Sequence, residues 1–88
     1  MLTMANLKAC FESAKEQGHS YIGVKIKMEG FEDSEVIINP NANFNKKLEY
    51  YKNAYNDDLT LKTFNGIKII GFTFGDTYDE IEMDLVLE

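Results

Sequence analysis

The run Ile67–Phe74, IKIIGFTF, constrains this chain more than any other stretch. Its apolar residues fall on both faces of an extended backbone, with Ile67 and Ile69 alternating against Ile70, Phe72 and Phe74. A strand patterned this way belongs in the middle of a sheet, since a half-wet strand would alternate apolar with polar. Asn65-Gly66, just before it, lies between two β-rich runs and predicts a hairpin, because both central residues of a type I′ turn need positive φ.

Its partners come from earlier in the chain. In YIGVKIKMEG, Ile22, Val24, Ile26 and Met28 share one face while Lys25 and Lys27 look the other way, which predicts a strand with one wet side. A turn over Gly30–Ser34 then leads to a second strand holding Val36, Ile37 and Ile38, stopped where Pro40 lacks a ladder donor. The two predict an antiparallel hairpin.

Helical spacing appears three times. Met4, Leu7, Phe11 and Ala14 recur at three- and four-residue steps, with Thr3 as N-cap and Gly18 placed to end the helix. Phe44, Leu48, Tyr51 and Tyr55 form one face of a second helix, capped by Asn41 or Asn43, with Ala54 alongside and Tyr50 about 100° round on the flank near Lys47. The segment GDTYDEIEMDLVLE reads both ways. As a strand it alternates Ile81, Met83, Leu85 and Leu87 with acids; as a helix it aligns Tyr78, Ile81 and Leu85 behind an Asp76 or Thr77 cap and a Thr-x-x-Glu box ending at Glu80. The box and the first-turn acids favour the helix.

These elements predict one α+β domain over residues 1–88, in the order helix, strand, strand, helix, short strand or loop, strand, helix. The sheet has three or four strands, with the helices packed on one face.

Composition narrows the function. The chain has 88 residues and 44% hydrophobic content, enough for one core that buries roughly 60–65% of its unfolded surface. One cysteine and one histidine exclude an internal disulfide and a zinc site of the usual Cys/His kind. Cys10, among Leu7, Phe11 and Ala14, reads as a buried thiol, which suits a reducing compartment. No apolar run approaches the roughly 18 residues that a membrane span needs, and the opening MLTMANLKACFESAKEQG carries polar residues throughout rather than a signal-peptide apolar block. The cytoplasm is the expected location, with no membrane partner.

All nine basic residues are lysine, and the formal charge is −6. Met1–Gly75 balances nine lysines against nine acids (15 less the 6 that follow), so the net charge lies in Asp76–Glu88. The absence of arginine, the usual fork for phosphates and base edges, disfavours nucleic-acid readout. His19, between Gly18 and Ser20, reads as a turn residue rather than a catalytic base. No window matches a calcium loop, and Asp76, Asp79 and Glu80 would repel a phosphate from the turn after Gly71–Gly75. No catalytic residue, metal ligand or cofactor is assigned, and an enzyme is not expected.

The stretches EVIINPNANFNKKLEYYKNAYNDDL and GIKIIGFTFGDTYDEIEMDL resemble a group of small uncharacterised proteins encoded by phages and prophages of low-GC Gram-positive bacteria. The resemblance implies an accessory protein made inside the host bacterium, and carries no activity or site residue with it. Where this chain has TLKTF the group is more polar, which leaves residues 59–64 open between strand and loop.

The expected function is protein binding through the acidic last helix, with Asp79, Glu82 and Asp84 meeting a basic surface on a host or phage protein, or through a sheet edge; Tyr50 is the other candidate contact. Exposed edges would also allow a homodimer. A nucleic-acid-binding module using Lys25, Lys27 and Tyr50 is the alternative reading.

Overall fold

The computed structural model describes residues 2–86. Leu87, the last apolar position of the alternative C-terminal strand, and Glu88 lie outside the described residues. Helix α1 (Met4–Gln17) leads into strands β1 (Tyr21–Met28) and β2 (Glu35–Pro40). A short 3₁₀ turn, Asn41–Asn43, precedes helix α2 (Phe44–Ala54). Strands β3 (Thr60–Leu61) and β4 (Phe64–Gly75) follow, and helix α3 (Tyr78–Leu85) closes the chain. All pairings are antiparallel, in the order β2-β1-β4-β3, so the α+β class and the expected element order hold.

Local chemistry sets the helix ends. Thr3 Oγ1 accepts from Asn6 N–H at 3.3 Å while Asn6 Oδ1 accepts from Thr3 N–H at 2.9 Å, a reciprocal box at the start of α1. Gly18, at φ 75°, ends it in the left-handed conformation. Thr77 caps α3 by accepting from Glu80 N–H at 3.2 Å, whereas the Glu80 carboxylate reaches past Thr77 to Asp76 N–H at 3.3 Å. The expected asparagine caps of α2 are absent: neither Asn41 nor Asn43 makes a side-chain cap bond, since the 3₁₀ turn tightens the entry to α2.

Strand β4 is central, but a bulge produces its two-sided pattern. Lys25 faces Gly71 and Ile26 faces Ile69, so Ile70 has no partner on β1. The extra residue reverses the alternation, and Ile67, Ile69, Phe72 and Phe74 all join one core. Ile70 is left 42% exposed. That core is completed by Ile22 and Val24 of β1, Leu7, Phe11 and Ala14 of α1, and Phe44, Tyr51 and Tyr55 from α2 and its end.

The expectation that the helices share one face of the sheet is corrected for α3. Helices α1 and α2 cover the face of Ile22 and Val24, whereas α3 lies on the opposite face, over Gly23, Gly71 and Gly75. Missing side chains make the room. A Cβ at Gly23 would collide with Ile81 Cγ2 and lie 3.0 Å from Leu85 Cδ1. Ile81 and Leu85 are buried there at 0% and 3% exposure.

The Asn65-Gly66 turn is also corrected. Leu61 pairs with Phe64, which places the tight turn at Lys62–Thr63 and leaves Asn65 and Gly66 inside β4. Neither has positive φ. Glu29 N–H donates to Gly66 O at 2.7 Å, so the end of β1 holds this dipeptide extended. Residues 59–64 resolve as a two-residue strand and a turn, entered through Leu59, whose φ of 70° is unusual for a buried leucine.

The α3 contact makes a graded prediction. Gly23→Ala should cost about 1–3 kcal/mol by overpacking. Gly71→Ala, whose Cβ would meet Leu85 Cδ2 at an ordinary 3.5 Å, should be near neutral. Urea unfolding measures both, and equal losses would contradict this packing.

Candidate functional site

Met83 and Val86 are 64% and 54% exposed on the side of α3 that faces away from the sheet, while Tyr78 is 56% exposed at the edge of its sheet-facing side. Asp79, Glu82, Met83 and Val86 surround a shallow depression of about 250 Å³. The Asp79 and Glu82 carboxylates have no ion-pair partner among the described residues. Asp84 differs from them, because its Oδ2 accepts from Thr73 Oγ1 at 3.1 Å and ties the helix to β4.

An isolated helix of eight residues is unstable in water, so this surface depends on its anchors. Asp79 and Glu80 lie in the first turn, where the helix dipole favours negative charge. At the other end Lys25 Nζ donates to Leu85 O at 2.6 Å, placing a cation on the orphan carbonyls. Tyr21 packs edge-on against Tyr78, with ring centroids 4.9 Å apart. Sequence spacing gave no sign of the Lys25 contact, which spans 60 residues.

The sequence-selected residues do not form one surface. Tyr50 is 51% exposed on α2, on the opposite side of the sheet from Asp79, Glu82 and Asp84. Lys25 and Lys27 share the α3 side by the alternation of β1, and Lys25 already ends on α3. The nucleic-acid trio therefore does not converge on a single groove. Tyr51 and Tyr55 are core residues, so the tyrosine-rich helix is chiefly a packing face.

His19 has a larger structural role than its turn position suggests. Its ring stacks on Phe74 at 4.4 Å, Nδ1 lies 3.3 Å from Asp76 Oδ1, and Ser20 N–H donates to that same oxygen at 3.1 Å. The cluster fastens the end of α1 to the end of β4. Cys10 is half-buried, and burial pushes its thiol up to about 11, which keeps it protonated and unreactive at neutral pH. Asp58 moves the other way: bonds from the Thr60 hydroxyl and N–H hold its carboxyl below the usual range, opposite to what a general acid needs.

Among the described residues no three His, Cys, Asp or Glu side chains converge to hold a metal ion. No helix among them is long and apolar enough to cross a membrane.

Tyr51 carries the one buried side-chain polar atom without a hydrogen-bond partner among the described residues. Burial raises its phenol to about 12, while nearby Asn39 lowers it in part without completing a bond. Asn39 instead donates to Ile22 O at 3.1 Å. The folded phenol holds its proton more tightly than the unfolded one, whose value is 10.0, so its stabilisation is intact below pH 10 and is lost as pH rises towards 12. Tyr51→Phe should raise stability by about 1 kcal/mol and flatten this alkaline limb, since the orphan hydroxyl is removed. Denaturant titrations at neutral and alkaline pH test it, and a loss of stability would mean that the hydroxyl is bonded.

No family model, curated protein or solved structure matches the chain, so its function is read from this geometry.

Proposed function

We propose that the chain is a non-enzymatic protein-binding module whose outer α3 face docks on a basic surface of another protein. The observation that carries this reading is the exposure of Met83 and Val86 between the unpaired Asp79 and Glu82 carboxylates. Ile81 and Leu85 already hold the helix to the sheet, so the outer apolar residues are not required for that contact. Burying them in a partner would supply the affinity. The carboxylates would steer encounter and reject acidic surfaces.

Charge placement supports the same end of the chain, because the sequence Asp76–Glu88 holds the whole formal charge of −6 and Asp79 and Glu82 belong to it. Lysine-rich or arginine-rich partners would feel that field over about a Debye length, roughly 8–10 Å at physiological salt. The resemblance to phage and prophage proteins makes an accessory role in the bacterial cytoplasm the natural setting, with a host or phage protein as partner.

Affinity capture from a bacterial host at low and high salt tests the reading. The wild-type chain should recover a partner at about 50 mM salt and lose most of it at about 500 mM. Asp79→Lys with Glu82→Lys should weaken capture about tenfold, and the neutral Met83→Ser should do the same with unchanged salt sensitivity. Undiminished capture by both variants would remove this face from consideration.

A further inference from the structure

The opposite side of the sheet carries a second surface feature, which meets the α3 side only at the β1–β2 turn, where Asp33 also borders a depression with Lys25 and Val86. Where β1 and β4 run past the cover of α1 and α2, their core-side residues Ile26, Met28 and Ile67 form the floor of a cleft of about 400 Å³. Three aromatic residues line it: Phe31 from the β1–β2 turn, Tyr50 from α2 and Tyr55 from the end of that helix. Asp33 and Glu35 add two carboxylates from the β2 side, and neither has an ion-pair partner among the described residues. Among the described residues no lysine lines the cleft, and Lys47 reaches the ring of Tyr50 at its edge.

This combination selects for a cation carried on an apolar stem. Aromatic faces attract ammonium and guanidinium groups, carboxylates pair with them, and an aliphatic floor receives the methylenes. Tyr50 already behaves this way within the chain, since Lys47 Nζ lies 5.2 Å from its ring centroid. The volume lies at the small end of ligand sites, enough for one or two side chains and too little for a folded surface. Phe31 at 62% exposure and Met28 at 37% extend the apolar surface beyond the cleft, where a longer chain can continue.

We propose that this cleft is a binding site for a lysine or arginine side chain and an adjoining apolar side chain of a partner polypeptide. It stands independently of the α3 face, so either site can fail alone.

Titration of the isotopically labelled full chain with the blocked peptide Leu-Arg-Leu, followed by NMR, tests the assignment. Methyl and aromatic signals of Ile26, Met28, Phe31 and Tyr50 should shift together, while those of Ile81 and Met83 stay fixed. Replacing the arginine by citrulline, which keeps the shape and removes the charge, should weaken binding about tenfold. Asp33→Asn with Glu35→Gln, both exposed positions, should weaken the arginine peptide by a similar factor and leave the citrulline peptide unchanged. Equal affinity for the two peptides, shifts confined to α3, or no shifts at about 5 mM peptide would each overturn the proposal. So would binding of free arginine amide as tight as that of the peptide, because the neighbouring apolar side chain would then contribute nothing.

Discussion

Pairing of β1 with β4, interrupted by the single unmatched residue Ile70, is the constraint on which both sides of this molecule depend. On one side the bulge brings Ile67, Ile69, Phe72 and Phe74 to the same core, so α1 and α2 find a continuous apolar floor. On the other, the same change of phase leaves Gly71, Thr73 and Gly75 opposite Lys25, Gly23 and Tyr21, a strip in which three glycines leave room between the longer side chains. A helix can approach that strip closely. Without the extra residue, either Ile67 and Ile69 or Phe72 and Phe74 would turn towards α3, and the groove for Ile81 and Leu85 would be filled.

Much of this was legible from residue types. Helical periodicity placed α1 and α2, Thr3 and Gly18 marked the ends of the first, and the Thr77 cap separated helix from strand at the C-terminus. Alternation correctly assigned Ile22, Val24 and Ile26 to one face of β1. What failed were inferences that treated a local signal as final. Asn65-Gly66 has strong turn chemistry, yet a backbone bond from Glu29 keeps it extended, and that bond depends on how far β1 runs. The two-sided pattern of β4 was real in sequence. Its cause was a register change, which spacing within one strand cannot distinguish from burial on both faces.

The candidate site was legible in part for a similar reason. Acid enrichment after Gly75 pointed to α3, and Asp79 and Glu82 do face outward with unpaired carboxylates. Asp84 looked equivalent on charge alone, but its bond to Thr73 gives it an anchoring role. Lys25 read as a free surface cation because its partner is a backbone carbonyl 60 residues away. Glycines at 23, 71 and 75 carried the missing information. Read individually they look like punctuation; read at their strand register they describe a seat for a helix.

That seat bears on how the α3 surface would act. Its anchoring interactions are two buried apolar side chains, the Tyr21–Tyr78 contact, the Thr77 cap, the Thr73–Asp84 bond and the Lys25 contact at the last turn. The larger core on the other face contains aromatic contacts such as Phe11 with Phe44 and Tyr51, and does not need α3 to close it. Helix α3 nevertheless touches β1, β2 and β4, so it is held to the sheet at several points and covers the face that the larger core leaves open. A partner that covers Met83 and Val86 would also bury the back of this helix and oppose its detachment. Docking and helix stability would then be linked, since a ligand that binds only the folded helix stabilises it in proportion to its affinity.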